Sequence, residues 1–103
     1  VIKSIVVTST GINSSVQATA LNTPQQKAQW ISIAAPFGNT GFIAHGDSTV
    51  SASIGQQIGA GGGGGAPQYP PAAGLMSYGY MLSELYIYFE KAGDTAQINY
   101  LQR

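Results

Sequence analysis

Acid–base and nucleophilic chemistry needs side chains that can hold, move or give up a proton, and this sequence has few of them. Its one histidine, His45, is followed closely by Asp47 and Ser48. In an extended strand His45 and Asp47 share a face. A Ser–His–Asp set confined to residues 45–48 still cannot reach the geometry of a catalytic triad. The simpler reading is that Asp47 accepts hydrogen bonds from turn amides and that His45 lies at the surface or in an interface. Glu84 and Glu90 would share a face if one regular strand spanned both, roughly 20 Å apart at about 3.3 Å per residue. A glycosidase pair needs about 5–10 Å. There is no cysteine, hence no disulfide, thiolate metal site or Cys nucleophile. One histidine and scattered carboxylates make no metal-ligand cluster. Gly61 to Gly65 form an unbroken glycine run. A phosphate loop would need Gly-Lys-Ser/Thr opening a helix, whereas Ala66-Pro67 follow and no lysine is near. The run reads as a flexible surface loop, with ordering against a neighbouring subunit as the alternative. No catalytic residue, metal ligand or cofactor site is predicted, and the chain reads as a non-enzyme.

What remains is contact chemistry. The tyrosines are Tyr69, Tyr78, Tyr80, Tyr86, Tyr88 and Tyr100. Tyr86 and Tyr88 read as core or inter-sheet packing. Tyr69 sits within the Gly/Pro segment and is expected to be exposed. Tyr78 and Tyr80 flank Gly79 beside it. A contact surface in the second half is therefore expected around Gly63, Pro67, Tyr69, Pro70, Tyr78 and Tyr80, where aromatic rings could line an interface or stack on a sugar.

The elements that must position these residues read as all-β. Residues 1–8 are rich in β-branched side chains and end near Gly11. If this first strand lies at a sheet edge, Val1, Ile2 and Lys3 could help it add to a neighbour's sheet; an ordinary internal strand is the alternative. Residues 15–21 alternate with period two. Residues 27–35 form the clearest central strand, with Ile31, Ile33 and Ala35 on one face and Ala28 and Trp30 on the other. Residues 42–45 and 49–53 are short strands separated by a turn at Gly46-Asp47. Met81 to Leu85 is the best candidate for one turn of helix. Residues 85–90 and 96–101, joined by Ala92-Gly93-Asp94, predict a hairpin. About seven or eight short antiparallel strands with frequent turn signals predict a β-sandwich, jelly-roll-like, as one domain over residues 1–103. A Gly/Pro-rich loop insertion occupies about 59–74.

The surface chemistry is unusual. Only 8% of the residues are charged, against roughly 25% in an ordinary soluble domain. Soluble monomers keep apart largely through charge, so much of this surface is expected to be covered by copies of the chain or by a partner. Net charge is zero, and without a basic patch nucleic-acid binding is not expected. No apolar run approaches the roughly 20 residues of a membrane span. No leader is expected either, since residues 1–7 contain Lys3 and no long apolar stretch.

Certain short motifs resemble a known group. They run Trp30-Ile31-Ser32-Ile33, Asn39-Thr40-Gly41-Phe42, Gly46-Asp47-Ser48-Thr49-Val50-Ser51, Leu82-Ser83-Glu84-Leu85-Tyr86 and Gly93-Asp94 leading to Tyr100-Leu101. In that order they resemble small virion structural proteins of tailed bacteriophages, among them capsid decoration (cement) proteins with a jelly-roll-like sandwich. The likeness covers roughly residues 27–101, and the 61–71 insertion departs from it. It implies a homodimer or homotrimer at a capsid axis, contact with the major capsid protein, and a virion location after synthesis in the host cytoplasm. It implies turn and register duties for Gly41, Gly46, Asp47, Gly93 and Asp94. The rival expectation is a tail, fibre or head-fibre domain that binds host glycans through Tyr69, Tyr78 and Tyr80.

Overall fold

A computed structural model describes residues 2–18, 27–63, 68–69 and 80–102. The expectations for Val1, Pro67, Pro70 and Tyr78 lie outside these residues. Among the described residues there are eight strands: β1 (Ile2–Thr8), β2 (Ser14–Gln17), β3 (Lys27–Ala34), β4 (Ile43–Gly46), β5 (Gln56–Ile58), β6 (Tyr80–Met81), β7 (Tyr86–Phe89) and β8 (Thr95–Gln102). One 3-10 turn, Leu82–Glu84, precedes β7, within the stretch expected to form a helical turn.

The strands build two four-stranded sheets, ordered β1-β8-β3-β6 and β2-β7-β4-β5. The antiparallel pairs β1·β8, β2·β7, β3·β6 and β4·β5 are those of one long hairpin bent back between β4 and β5. Rolling that ribbon places alternate pairs in opposite sheets, and β3·β8 and β4·β7 then knit each sheet together. This is the jelly-roll order. The β-sandwich expected from the strand spacing is the fold.

Alternation decides which residues enter the core. Ile31 and Ile33 of β3, Ile43 of β4, Ile87 and Phe89 of β7, and Ala96 and Ile98 of β8 are all fully or almost fully buried between the sheets. Burying each large aliphatic or aromatic side chain is worth about 1.5–3 kcal/mol, so this layer supplies most of the cohesion. The outward Tyr88 is also buried, with Ala44 and Val50, under a smaller apolar patch that includes Phe42 and Tyr86.

Three expectations change. Alternation predicts Ala28 on the face opposite Ile31, but it joins the same core. The β3·β8 register slips between Ala28 and Trp30, and the extra residue of this bulge turns Ala28 inward. The strand expected at 49–53 is a loop. The Asp47 carboxylate accepts hydrogen bonds from the Thr49 amide (2.8 Å) and hydroxyl (2.5 Å), and the Val50 amide bonds the Asp47 carbonyl at 3.0 Å. A side chain that captures nearby backbone in this way competes with strand pairing, and the next strand starts only at Gln56.

The expected hairpin of residues 85–101 is not one. β7 and β8 belong to different sheets, and residues 90–94 cross the sandwich edge between them. Both strands carry strongly apolar inward faces. Lying across the core from each other, roughly 10 Å apart, lets both be buried at once. Gly93 takes φ +82° in this crossing, a conformation that strains any residue with a Cβ.

Candidate functional site

The β7 register runs from Tyr86 beside Gly46 to Phe89 beside Ile43, which defines two ends of the sandwich. At the Phe89 end, the connections are locked by side chains. Asp94 is 4% exposed. Its carboxylate accepts from the Thr40 amide (2.9 Å) and hydroxyl (3.2 Å) and from the Gly41 amide (2.9 Å). Its carbonyl accepts from the Ser9 amide at 2.8 Å. Asn39 bonds Thr95 in both directions, donating through Nδ2 at 2.8 Å and accepting through Oδ1 at 3.0 Å. A Cβ on Gly41 would overlap Glu90 and Lys91, so the loops approach here at glycine distance. Gly41, Gly93 and Asp94 thus serve one clamp. Gly46 ends β4, and Asp47 organises the turn after it.

At the other end lies a cleft of about 290 Å³. Its apolar lining comes from Ile31, Met81 and Leu85, its aromatic lining from Tyr69 and Tyr80, and its carboxylates from Asp47 and Glu84. Tyr69 was expected to be exposed. It is half-buried because its backbone pairs with Ile31 on the edge of β3 (2.9 and 3.0 Å) and its hydroxyl meets His45 Nδ1 at 2.9 Å. The Tyr69 ring packs edge-to-face on His45 at 5.3 Å and on Tyr80 at 5.6 Å. His45 was expected at a surface or interface. It is 4% exposed, because β4 alternation turns it inward with Ile43. Its Nε2 is buried without a hydrogen-bond partner. Burial holds its pKa below the ordinary histidine value, so the ring is neutral near pH 7. The Asp47 carboxylate is bonded by Thr49 and not by His45. The hydrogen bonds from Thr49 hold the Asp47 carboxyl below its usual range, while burial, chiefly, raises the Tyr69 hydroxyl.

The described parts of the glycine-rich segment are not free loop. Gly61 donates to the Ala35 carbonyl (2.7 Å), Ala35 donates to the Gly62 carbonyl (3.0 Å), and the Gln68 side chain accepts from the Ile33 amide (2.6 Å). Residues 61–63 and 68–69 therefore cover the β3 edge of their own chain, satisfying amides that an open edge would leave bare. Gly63, at φ +81°, lies so close to β3 that a Cβ would overlap the Ile33 carbonyl oxygen.

The expected contact residues consequently fall on two separate edges. Ile2 and Lys3 are exposed on β1, one edge of its sheet. Gly63, Tyr69 and Tyr80 lie at the opposite edge, beside β3 and β6. Of the outward face between those edges, only Ile2 is among the expected contacts. Three cross-strand rows cover it: Ile2·Leu101·Trp30, Ser4·Asn99·Ser32 and Val6·Gln97·Ala34. None of these residues is charged, and Ile2 and Val6 are 65% and 61% exposed. Ser4 donates to the Asn99 side chain at 2.5 Å. Among the described residues nothing pairs with the outer edge of β1. The sequence carried this signal, because even-numbered residues 2–8 are uncharged and alternate with inward Ile5 and Val7.

Compared with protein-family models, with curated proteins and with solved structures, the chain has no match. Among the described residues no three His, Asp or Glu side chains gather in a way that could hold a metal ion.

Proposed function

We propose that this chain is a non-enzymatic structural protein of a tailed-phage virion, acting as a capsid decoration protein that associates with itself and with the major capsid protein. The observation that carries the assembly role is the set of uncharged rows across β1, β8 and residues 30–34 of β3, which ends in a seven-residue edge strand that nothing among the described residues pairs with. Native monomers usually defend such an edge with charges, Pro or a bulge. Here Lys3, near one end, is the only charge on β1. Two β1 edges meeting antiparallel about a two-fold axis would extend the sheet into a dimer. Packing of the neutral face about a three-fold axis would give a trimer. Either contact would consist of apolar packing and neutral hydrogen bonds, multiplied by avidity on a repeating shell, and would depend little on salt. The virion context is supported by the motif resemblance between residues 27 and 101.

The glycan-binding reading has less support. Tyr69 commits its hydroxyl to His45, and the cleft of about 290 Å³ beside it is small for an oligosaccharide.

The test is to add purified protein to phage heads lacking it and image them by cryo-electron microscopy at low and high salt. Regular occupancy of shell axes at both salts supports decoration. Bare shells, with the protein only at a tail or fibre, contradict it.

A further inference from the structure

The cleft beside Tyr69 and Tyr80 has a chemistry that the assembly role does not use. Its floor is apolar, with Ile31, Met81 and Leu85, while Asp47 and Glu84 supply carboxylates. Among the described residues no lysine or arginine lines it, and no ion pair neutralises either acid. The Thr49 hydrogen bonds keep Asp47 ionised. Tyr69 is fixed in place by His45 and by its two backbone bonds to Ile31, so this wall is set before any ligand arrives. At about 290 Å³ the space lies at the lower limit of small-ligand pockets, which begin near 300 Å³. It suits one side chain better than an oligosaccharide.

We propose that this cleft is a socket for a single basic side chain, arginine in preference to lysine, presented by a partner protein of different sequence. The alkyl stem would lie along the apolar floor, as basic side chains do on apolar surface. The planar guanidinium would meet the carboxylates and pack against tyrosine rings, which favour cations over their faces. An anionic ligand would be repelled. A neutral one would leave both carboxylates without a counter-charge. The proposal is independent of the β1 contact, which lies at the other edge of the sheet, so the two can fail separately.

The experiment is an amide-resonance titration of the intact chain by NMR, using N-acetylarginine amide and its uncharged isostere N-acetylcitrulline amide. The arginine probe is expected to shift Gly46, Asp47, Tyr69 and Tyr80 saturably, binding about 5-fold more tightly than citrulline, the size of effect a partly exposed charge and cation–π contact supply. Glu84→Gln, at an exposed position outside the core, is expected to remove most of that preference while the remaining spectrum stays unchanged. Equal binding of the two probes, tighter binding of a methyl glycoside, or no shift with any probe would overturn the proposal. So would shifts of the same resonances on concentrating the protein alone, which would identify a second copy as the occupant.

Discussion

Two buried polar side chains, at opposite ends of one sandwich, meet opposite fates. Asp94 is as inaccessible as His45, each 4% exposed, yet Asp94 accepts three hydrogen bonds from Thr40 and Gly41. His45 has one partner, the Tyr69 hydroxyl, and a second nitrogen with none. A fully bonded buried polar group fixes the geometry around it, whereas an unpartnered one carries a desolvation cost. The Asp94 end is thus built as a rigid closure of three connections. The His45 end keeps an incompletely satisfied core group and a cleft with room for a ligand.

Breaking the stronger side of this contrast should have the largest effect. Asp94→Ala leaves two amides and a hydroxyl without acceptors, and should cost about 3–4 kcal/mol. That lowers Tm by more than about 12 °C, measured by calorimetry. A loss below about 1 kcal/mol would mean that water replaces the carboxylate and that the clamp is not structural. Gly63→Ala tests the seam between the glycine-rich segment and β3. Left-handed strain plus overlap with the Ile33 carbonyl should cost about 2 kcal/mol, with faster hydrogen exchange at the Ile31, Ile33 and Ala35 amides. Tyr69→Phe removes the sole partner of His45 and should cost about 1 kcal/mol, read from urea unfolding. An equal loss from Tyr69→Phe and Asp94→Ala would erase the contrast.

The mildest perturbation is pH. His45 has a folded pKa below its unfolded value of about 6.5, because burial disfavours the imidazolium. The unfolded chain therefore binds the proton more readily. The stability contributed by neutral His45 is complete above about pH 6.5 and is lost as pH falls toward the folded pKa. Urea midpoints should be flat from pH 8 to 7 and decline below 6.5, and His45→Phe should flatten that decline. A midpoint that rises on acidification would contradict neutral burial of the ring.

Much of this architecture was legible in the residue pattern. The β-branched runs of β1, β3 and β7 read as strands, and their number with short turns indicated a sandwich. Pattern failed where a long-range or local capture overrode it. Ala28 changed face because a bulge cannot be seen from alternation alone. Residues 49–53 lost their strand to the Asp47 carboxylate. Residues 85–101 resembled a hairpin because Gly93-Asp94 is a turn signal in either topology. Only the pairing partners decide whether that turn stays in one sheet or crosses to the other. Around the cleft, the sequence marked Tyr69 and Tyr80 but missed His45 and Gln68, whose partners lie 24 and 35 residues away. The neutral outward face was legible in principle, because period two on residues 2–8 isolates Ile2, Ser4, Val6 and Thr8.

The central claim is that the β1 edge, which nothing among the described residues pairs with, and the uncharged rows beside it hold copies of this chain together. Sedimentation of the intact chain and of Val6→Lys, at low and high salt, tests it most directly. The account predicts a discrete dimer or trimer whose dissociation constant changes little with salt and which Val6→Lys converts to folded monomer. A wild-type chain that remains monomeric at both salts, or an oligomer indifferent to Val6→Lys, would contradict it.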